Sequence, residues 1–277
     1  MKSAVADRAT KVHCVRIEPL LGAATVYLTD YPRDLVMGGH TYQSDSGYEF
    51  SGYASEASMS PGVMDLHGIA GIAGISLDQV VSGVFDNARV YAFATSWAAP
   101  VEDEEPLGLG FMGKTTLKDD RYTIELMMVI DALNQSTGKT YTAPCPKTFG
   151  GQEYAGCMVD LGPITVTGTI TAVTSRSVFQ DSARTEAADW FGEGTIAFTS
   201  GANAGLKPME IKTYAADGTI TTHEAFHYPV AVGDAYTMIP GCRKRLEDCR
   251  DKWANILNFG GFSWVPTQST YTQVGGV

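Results

Sequence analysis

The chain has 277 residues and a formal net charge of -11, with 31 acidic against 20 basic side chains. An acidic surface repels phosphate, which argues against binding along a nucleic-acid backbone. No apolar run has the length of a membrane span, and the opening MKSAVADRATKVHC lacks the apolar core of a signal peptide. The expectation is a protein folded in a reducing cytoplasm, where clustered cysteines bind metal or react rather than pair.

From the N-terminus, KVHCVRIEP, ATVYLTD and HTYQS alternate apolar and polar residues as strands do, with turns at 30–33 and at Gly38-Gly39. NARVYAFATSW reads as the next strand, and VEDEEP at 101–106 as an acidic loop. FMGKTTLKDDRYTIELMMVI reads as a hairpin turning at Asp119-Asp120. The stretch 132–160 is irregular and holds Cys145 and Cys157. ITVTGTITAV at 164–173 has the Thr/Ile/Val alternation of a half-buried strand. GTIAFTSG, MEIKTYAADGTITTHEAF and the segment to Met238 continue it, with Asp217-Gly218 as a hairpin turn. A basic segment from residue 242 reads as a helix, because Leu246, Cys249, Trp253, Ile256 and Leu257 recur at helical spacing between Gly241 and Gly260-Gly261. The predicted fold is mainly β, in barrel or sandwich units, with a C-terminal helix in a small cysteine-cluster domain. The predicted domains are 1–135, 164–235, and a cysteine domain made of 136–163 and 236–277.

Three local patterns suggest enzymes and fail on context. GLGFMGKT at 108–115 fits a phosphate loop, with Gly108, Gly113, Lys114 and Thr115 in the pattern positions. Such a loop needs a buried strand before it and a helix after it. Here an acidic, proline-punctuated segment precedes it, and TTLKDDRYTIEL turns straight back as a strand. The same glycines form a G-x-G-x-x-G without the strand–helix setting of a dinucleotide site. HEAFH at 223–227 fits the zinc-protease pair His223 and His227 with Glu224 as base. Tyr228-Pro229 disfavours the required helix, and on a strand the two histidines stand about 13 Å apart, too far for one zinc ion.

Five cysteines remain: Cys14, Cys145, Cys157, Cys242 and Cys249. Cys14 sits in a strand pattern and reads as a buried structural thiol. On a continuous helix, Cys242 and Cys249 are separated by a rise of about 10.5 Å. That exceeds the span of a disulfide, about 4.4–6.8 Å between Cα atoms. It also exceeds about 9.4 Å, the reach of two thiolates sharing one zinc. Ligand sulfurs on a 4Fe-4S cubane stand about 6–7 Å apart, so the two thiolates can reach a cluster. The argument favours a cluster over zinc only if the helix has begun by Cys242; with Cys242 in the preceding turn, zinc returns. Arg243, Lys244, Arg245 and Arg250 supply positive charge for thiolates.

The cysteine segments CPKTFGGQEYAGCMVDLG (145–162) and GCRKRLEDCRDKWANILNFGGFSWVP (241–266) resemble a family of phage tail-tip hub proteins, as does WFGEGTIAFTSGANAGLKPMEIK (190–212). That family includes the hub protein of gene-transfer agents and is more distantly similar to tail-tip protein L of phage lambda. VMDLHGIAGI, VFDNARVYAF and GKTYTAPC extend the resemblance over most of the chain. Two departures are visible: Trp253 stands where the family usually has Phe, and the interval from Cys145 to Cys157 is slightly long.

The resemblance implies a structural virion protein rather than an enzyme. It implies a homotrimeric ring at the virion tail tip, assembled in the host cytoplasm and joining the distal tail protein to a central fibre or tip attachment protein. The tape measure protein is a further candidate neighbour, and no sequence-specific nucleic acid binding is expected. It further implies that Cys145, Cys157, Cys242 and Cys249 ligate a 4Fe-4S cluster and that Cys14 does not. The negative charge suits a lumen through which DNA slides, and equally suits solubility alone. An iron–sulfur redox enzyme and a nucleotide-binding protein using 108–115 are the competing readings.

Overall fold

A computed structural model of the chain describes residues 5, 8–20, 22–44, 49–50, 64–69, 75–118, 121–128 and 141–264. The chain divides into two compact units, 1–136 with 205–207, and 137–204 with 208–277.

The first unit is built on a seven-stranded antiparallel sheet. In chain order its strands are β1 (Lys11–Glu18), β2 (Val26–Thr29), β5 (Glu49–Phe50), β6 (Met64–Ile69), β7 (Arg89–Ser96), β8 (Glu105–Lys118) and β9 (Arg121–Met128). Their order across the sheet is β2-β1-β7-β8-β9-β6-β5. β3 (Leu35–Met37) and β4 (His40–Tyr42) form a separate hairpin, which the sequence reading caught only in part. Gly38 and Gly39 join them at φ +60° and +80°, the left-handed conformations a two-residue hairpin demands. β1 shows why alternation is informative. Val15 and Ile17 face one core with Val90, Ala92 and Ile124. Val12 and Cys14 face another with Tyr42 and Phe93. Successive side chains on a strand point to opposite faces, so one strand serves both cores. One short helix, α1 (Leu77–Val81), starts at a reciprocal cap between Ser76 and Gln79.

The phosphate-loop reading is overturned here. Residues 108–115 lie inside β8, a strand paired on both sides, and Lys114 is exposed on it. β8 runs on to Lys118, which pairs with Arg121 of β9, so no helix follows the glycines. The proposed turn residues Asp119 and Asp120 lie outside the described residues.

The second unit holds another seven-stranded antiparallel sheet, made from β10 (Val166–Thr169), β11 (Ala172–Val173), β12 (Val178–Gln180), β13 (Thr195–Phe198), β14 (Met209–Tyr214), β15 (Thr219–Thr222) and β16 (Ala235–Ile239). The order is β10-β16-β13-β14-β15-β12-β11. Its core gathers Phe179, Phe191, Phe198, Phe226, Tyr214 and Tyr236. Asp217-Gly218 turns β14 into β15 as the sequence requires, and the Asp217 carboxylate accepts from Thr219 N–H at 2.9 Å. The stretch read as one strand over 164–173 is two, because Ile170 turns inward and its N–H bonds to Asp234 instead. β16 runs from Ala235 to Ile239 between β10 and β13, so the sequence-based boundary at 235/236 passes through a central strand. The structure accordingly groups the two C-terminal divisions of the sequence reading into one unit.

HEAFH is not helical: His223 and Glu224 are exposed in a bend after β15, while Phe226 is buried against Phe179 and Phe198. The zinc-protease geometry is absent.

The predicted C-terminal helix is corrected in extent. Residues 241–245 are not helical; helical structure begins at Leu246, continues as a short π-type segment Asp248–Lys252, and is followed by a 3-10 turn Ile256–Asn258. Lys244 adopts a left-handed φ of +62°. Arg243 N–H bonds to the Asp248 carboxylate at 2.9 Å, and the Lys244 carbonyl accepts from Cys145 N–H at 2.8 Å. These partners replace the helical ones, so Cys242 precedes the helix.

Candidate metal centre

Cys145, Cys157, Cys242 and Cys249 line one small cavity in the second unit, of about 10 Å³. All four are free thiols, as is Cys14, which is buried in the first unit. The cavity is assembled from two segments about a hundred positions apart in the chain. Cys145 N–H bonds to Lys244 O, and Phe262 N–H to Thr142 O, both at 2.8 Å. Asn255 ties the cysteine pairs together. Its side-chain amide donates to Cys157 O at 2.6 Å, its backbone N–H to Cys249 O at 2.8 Å, and its carbonyl accepts from the Cys249 thiol at 3.2 Å. Gly260 N–H lies 3.4 Å from Cys145 Sγ, and Asn255 Nδ2 lies 3.8 Å from Cys157 Sγ.

Gly241 fixes where Cys242 starts. A Cβ at Gly241 would collide with the backbone of Gly192, Glu193 and Gly194, so only glycine lets the two chains approach here.

Burial pushes the Cys249 thiol above its ordinary value, and the charges of Cys242, Cys157 and Cys145 push in the same direction. Cys242 is raised by burial, against the Lys244 backbone and ammonium, which favour its thiolate. Desolvated thiols such as Cys242 and Cys249 are favoured as neutral groups, and become stable thiolates with a cation among them.

Three cationic side chains line the cavity: Lys147, Lys244 and Arg245. None forms an ion pair among the described residues. The Lys147 ammonium instead bonds to the carbonyls of Gly156 and Asn258 at 3.1 and 2.6 Å, and that of Lys244 to Lys147 O at 2.5 Å. The other cations expected from the sequence are committed elsewhere, Arg243 to Asp189 at 2.7 Å and Arg250 to Asp251 at 2.7 Å. Lys147 was not anticipated; its only signal in the sequence is that it stands two residues after Cys145.

With Cys242 outside the helix, the 10.5 Å argument against zinc loses its premise, and the spacing alone leaves both metals open. Among the described residues no three Cys, His, Asp or Glu side chains converge as a single-ion site. The four cysteines are brought together as lining residues of one cavity. The donor set is all thiol, which suits soft, thiolate-bound metals, iron–sulfur clusters and zinc alike. A buried donor without a partner, the indole N–H of Trp253, belongs to a residue lining the same cavity. On donor chemistry and on this orphaned group, the residues present fit a sulfur-rich metal centre.

The fold and this site together define a mainly β protein of two sheet units, the second carrying a thiol-lined cavity. Residues 1–160 match the family described as baseplate hub protein, N-terminal attachment domain, and the chain belongs to that family of phage virion structural proteins. Residues 189–269 match a second family, the phage conserved hypothetical protein BR0599. A solved chain in the virion of a native gene transfer agent particle has the same fold, with a TM-score of 0.83 at 24% identity over 94% of this chain and 89% of that chain. No curated protein matches. No helix among the described residues is long and apolar enough to cross a membrane.

Proposed function

We propose that this baseplate hub protein is a tail-tip hub, a homotrimer that joins the distal tail protein to the central fibre. In this reading Cys145, Cys157, Cys242 and Cys249 hold a structural iron–sulfur cluster. The observation that carries the metal assignment is the convergence of four free thiols, from segments a hundred residues apart, on one cavity. The unpaired cations Lys147 and Lys244 support it, because four thiolates around a cluster leave net negative charge for them to offset. The cluster is preferred to zinc on the family resemblance of the cysteine segments. When bound, the group cross-links 145–157 to 242–249. The protein residues desolvate the thiols, orient them through Asn255 and Gly260, and supply the countercharge.

The joining role rests on the family match and the resemblance. The negative charge of the chain suits passage of DNA through the ring without sticking.

The test is anaerobic purification followed by metal analysis. We expect iron and sulfide near four of each per chain, broad absorbance near about 400 nm, and three copies by mass. Cys249→Ser should lose the iron and fail to enter tails, while Cys14→Ser should keep it. Equal iron in both variants, or zinc as the bound metal, would overturn the cluster.

A further inference from the structure

We propose that the indole N–H of Trp253 donates a hydrogen bond to a sulfur of the metal centre, and so sets its reduction potential. The inference rests on the iron–sulfur reading above. Buried donors in folded proteins are almost always paired, so a lone one asks for a partner. Three buried side-chain nitrogens lack a hydrogen bond among the described residues: Arg16 Nε, Arg184 Nε and Trp253 Nε1. The two arginine nitrogens have carboxylates at hand, Glu18 at 2.9 Å and Asp181 at 3.6 Å. The indole N–H has no hydrogen-bond partner among the described residues. The charged group beside it is the Lys252 ammonium, 5.0 Å above its ring, which is itself a donor and cannot accept.

The ring is also held still. Trp253 packs on Phe149 at 4.8 Å and on Trp190 at 5.6 Å between centroids. Its backbone N–H bonds to Asp248 O at 3.1 Å. It lines the cavity with all four cysteines, whose sulfurs are the acceptors a bound metal would create: a ligated thiolate is a far better acceptor than a thiol. Hydrogen bonds to the sulfurs of a cluster stabilise its reduced, more negative state and raise its potential. A phenylalanine could fill the same place in the packing but could not donate. Trp253 is therefore a positioning and tuning residue, not a ligand.

The experiment compares the full-length wild type with Trp253→Phe and Trp253→Leu, each purified anaerobically. Iron content and the potential of the centre are measured by redox titration. The expected result is unchanged iron in Trp253→Phe and a shift to more negative potential in both variants. If Trp253→Phe matches the wild type and only Trp253→Leu shifts, the ring acts by packing and the proposal falls. Should Trp253→Phe fail to fold, the wild type grown with indole-15N tryptophan answers the question. Electron–nuclear double resonance of the reduced centre should show 15N coupling, because of the four tryptophans Trp253 alone lines the cavity. Absence of that coupling overturns the proposal. A wild type without iron overturns the cluster reading and this inference with it, whereas iron with equal potentials overturns this inference alone.

Discussion

Cys14 and Cys249 are both buried thiols, yet their surroundings give them different chemistry. Cys14 sits among Val12, Tyr42 and Phe93, with Thr29 Oγ1 at 3.5 Å as its hydrogen-bond partner. Burial pushes its pKa up to about 12, against the Thr29 contact, with the Asp30 charge adding to the rise. The folded value lies above the unfolded one, so the neutral thiol stabilises the fold fully below pH about 9 and that contribution disappears as pH rises to about 12. The window is worth as much as ~4 kcal/mol by the conversion of pKa shift to energy. Denaturant titrations of wild type and Cys14→Val should therefore converge or cross between those pH values, the wild type losing more stability. Parallel pH profiles would show that Cys14 ionises as easily in the folded chain. The acidic loop gives a second lesson at this scale. Its carboxylates are not merely solvated, since Glu102 meets Arg16 at 2.8 Å and accepts from Tyr42 at 2.9 Å, and Glu105 meets Lys11 at 3.1 Å.

Among the elements, β8 and the bend after β15 carry sequences that mimic enzyme motifs without the geometry. Lys114 is exposed on a paired strand and Glu224 is exposed in a bend. Lys114→Ala and Glu224→Ala should each change stability by less than about 0.5 kcal/mol and leave tail assembly intact, measured by thermal melting and particle yield. Phe226, two residues from Glu224, is buried among Phe179 and Phe198. Phe226→Ala should cost about 3–5 kcal/mol, read as a fall in the denaturant midpoint of the second unit. Strands and tight turns were legible because their signals are local: alternation in KVHCVRIE, and Gly38-Gly39 or Asp217-Gly218 between apolar runs. Short strands such as β12 were missed, since three residues carry too little pattern against their flanks. The C-terminal helix was overextended because its apolar period is not a buried stripe: Ile256 and Leu257 are exposed, Leu257 by 97%.

For the whole molecule, the proposed metal centre would couple metal binding to folding through the second unit, which holds all four cysteines. Cys145 and Cys249 enclose all seven strands of that unit's sheet, so a bond network joining them would close a loop of about a hundred residues. A cross-link of that length restrains the unfolded chain by about 4–5 kcal/mol in the chain-entropy account. Chelation of the metal under anaerobic conditions should lower the melting transition of the second unit and leave that of the first in place. Equal shifts in both transitions would mean that the metal does not act through the cysteine loop.

The sequence by itself determined the mainly β class, the hairpin turns, the family, and which four cysteines to consider. Each of these follows from residue order read over a few positions or from similarity along the chain. Tertiary structure decided the rest. It ran 108–115 through the middle of a sheet, joined the two C-terminal divisions across β16, and took Cys242 out of the helix. It also brought Lys147, Asn255 and Trp253 to the thiols. The physical reason is that backbone hydrogen bonds go to whichever partner the fold presents. At residues 243–244 those partners are the Asp248 carboxylate and Cys145, and beside them Gly241 lies flush against 192–194, contacts between segments that no local pattern encodes.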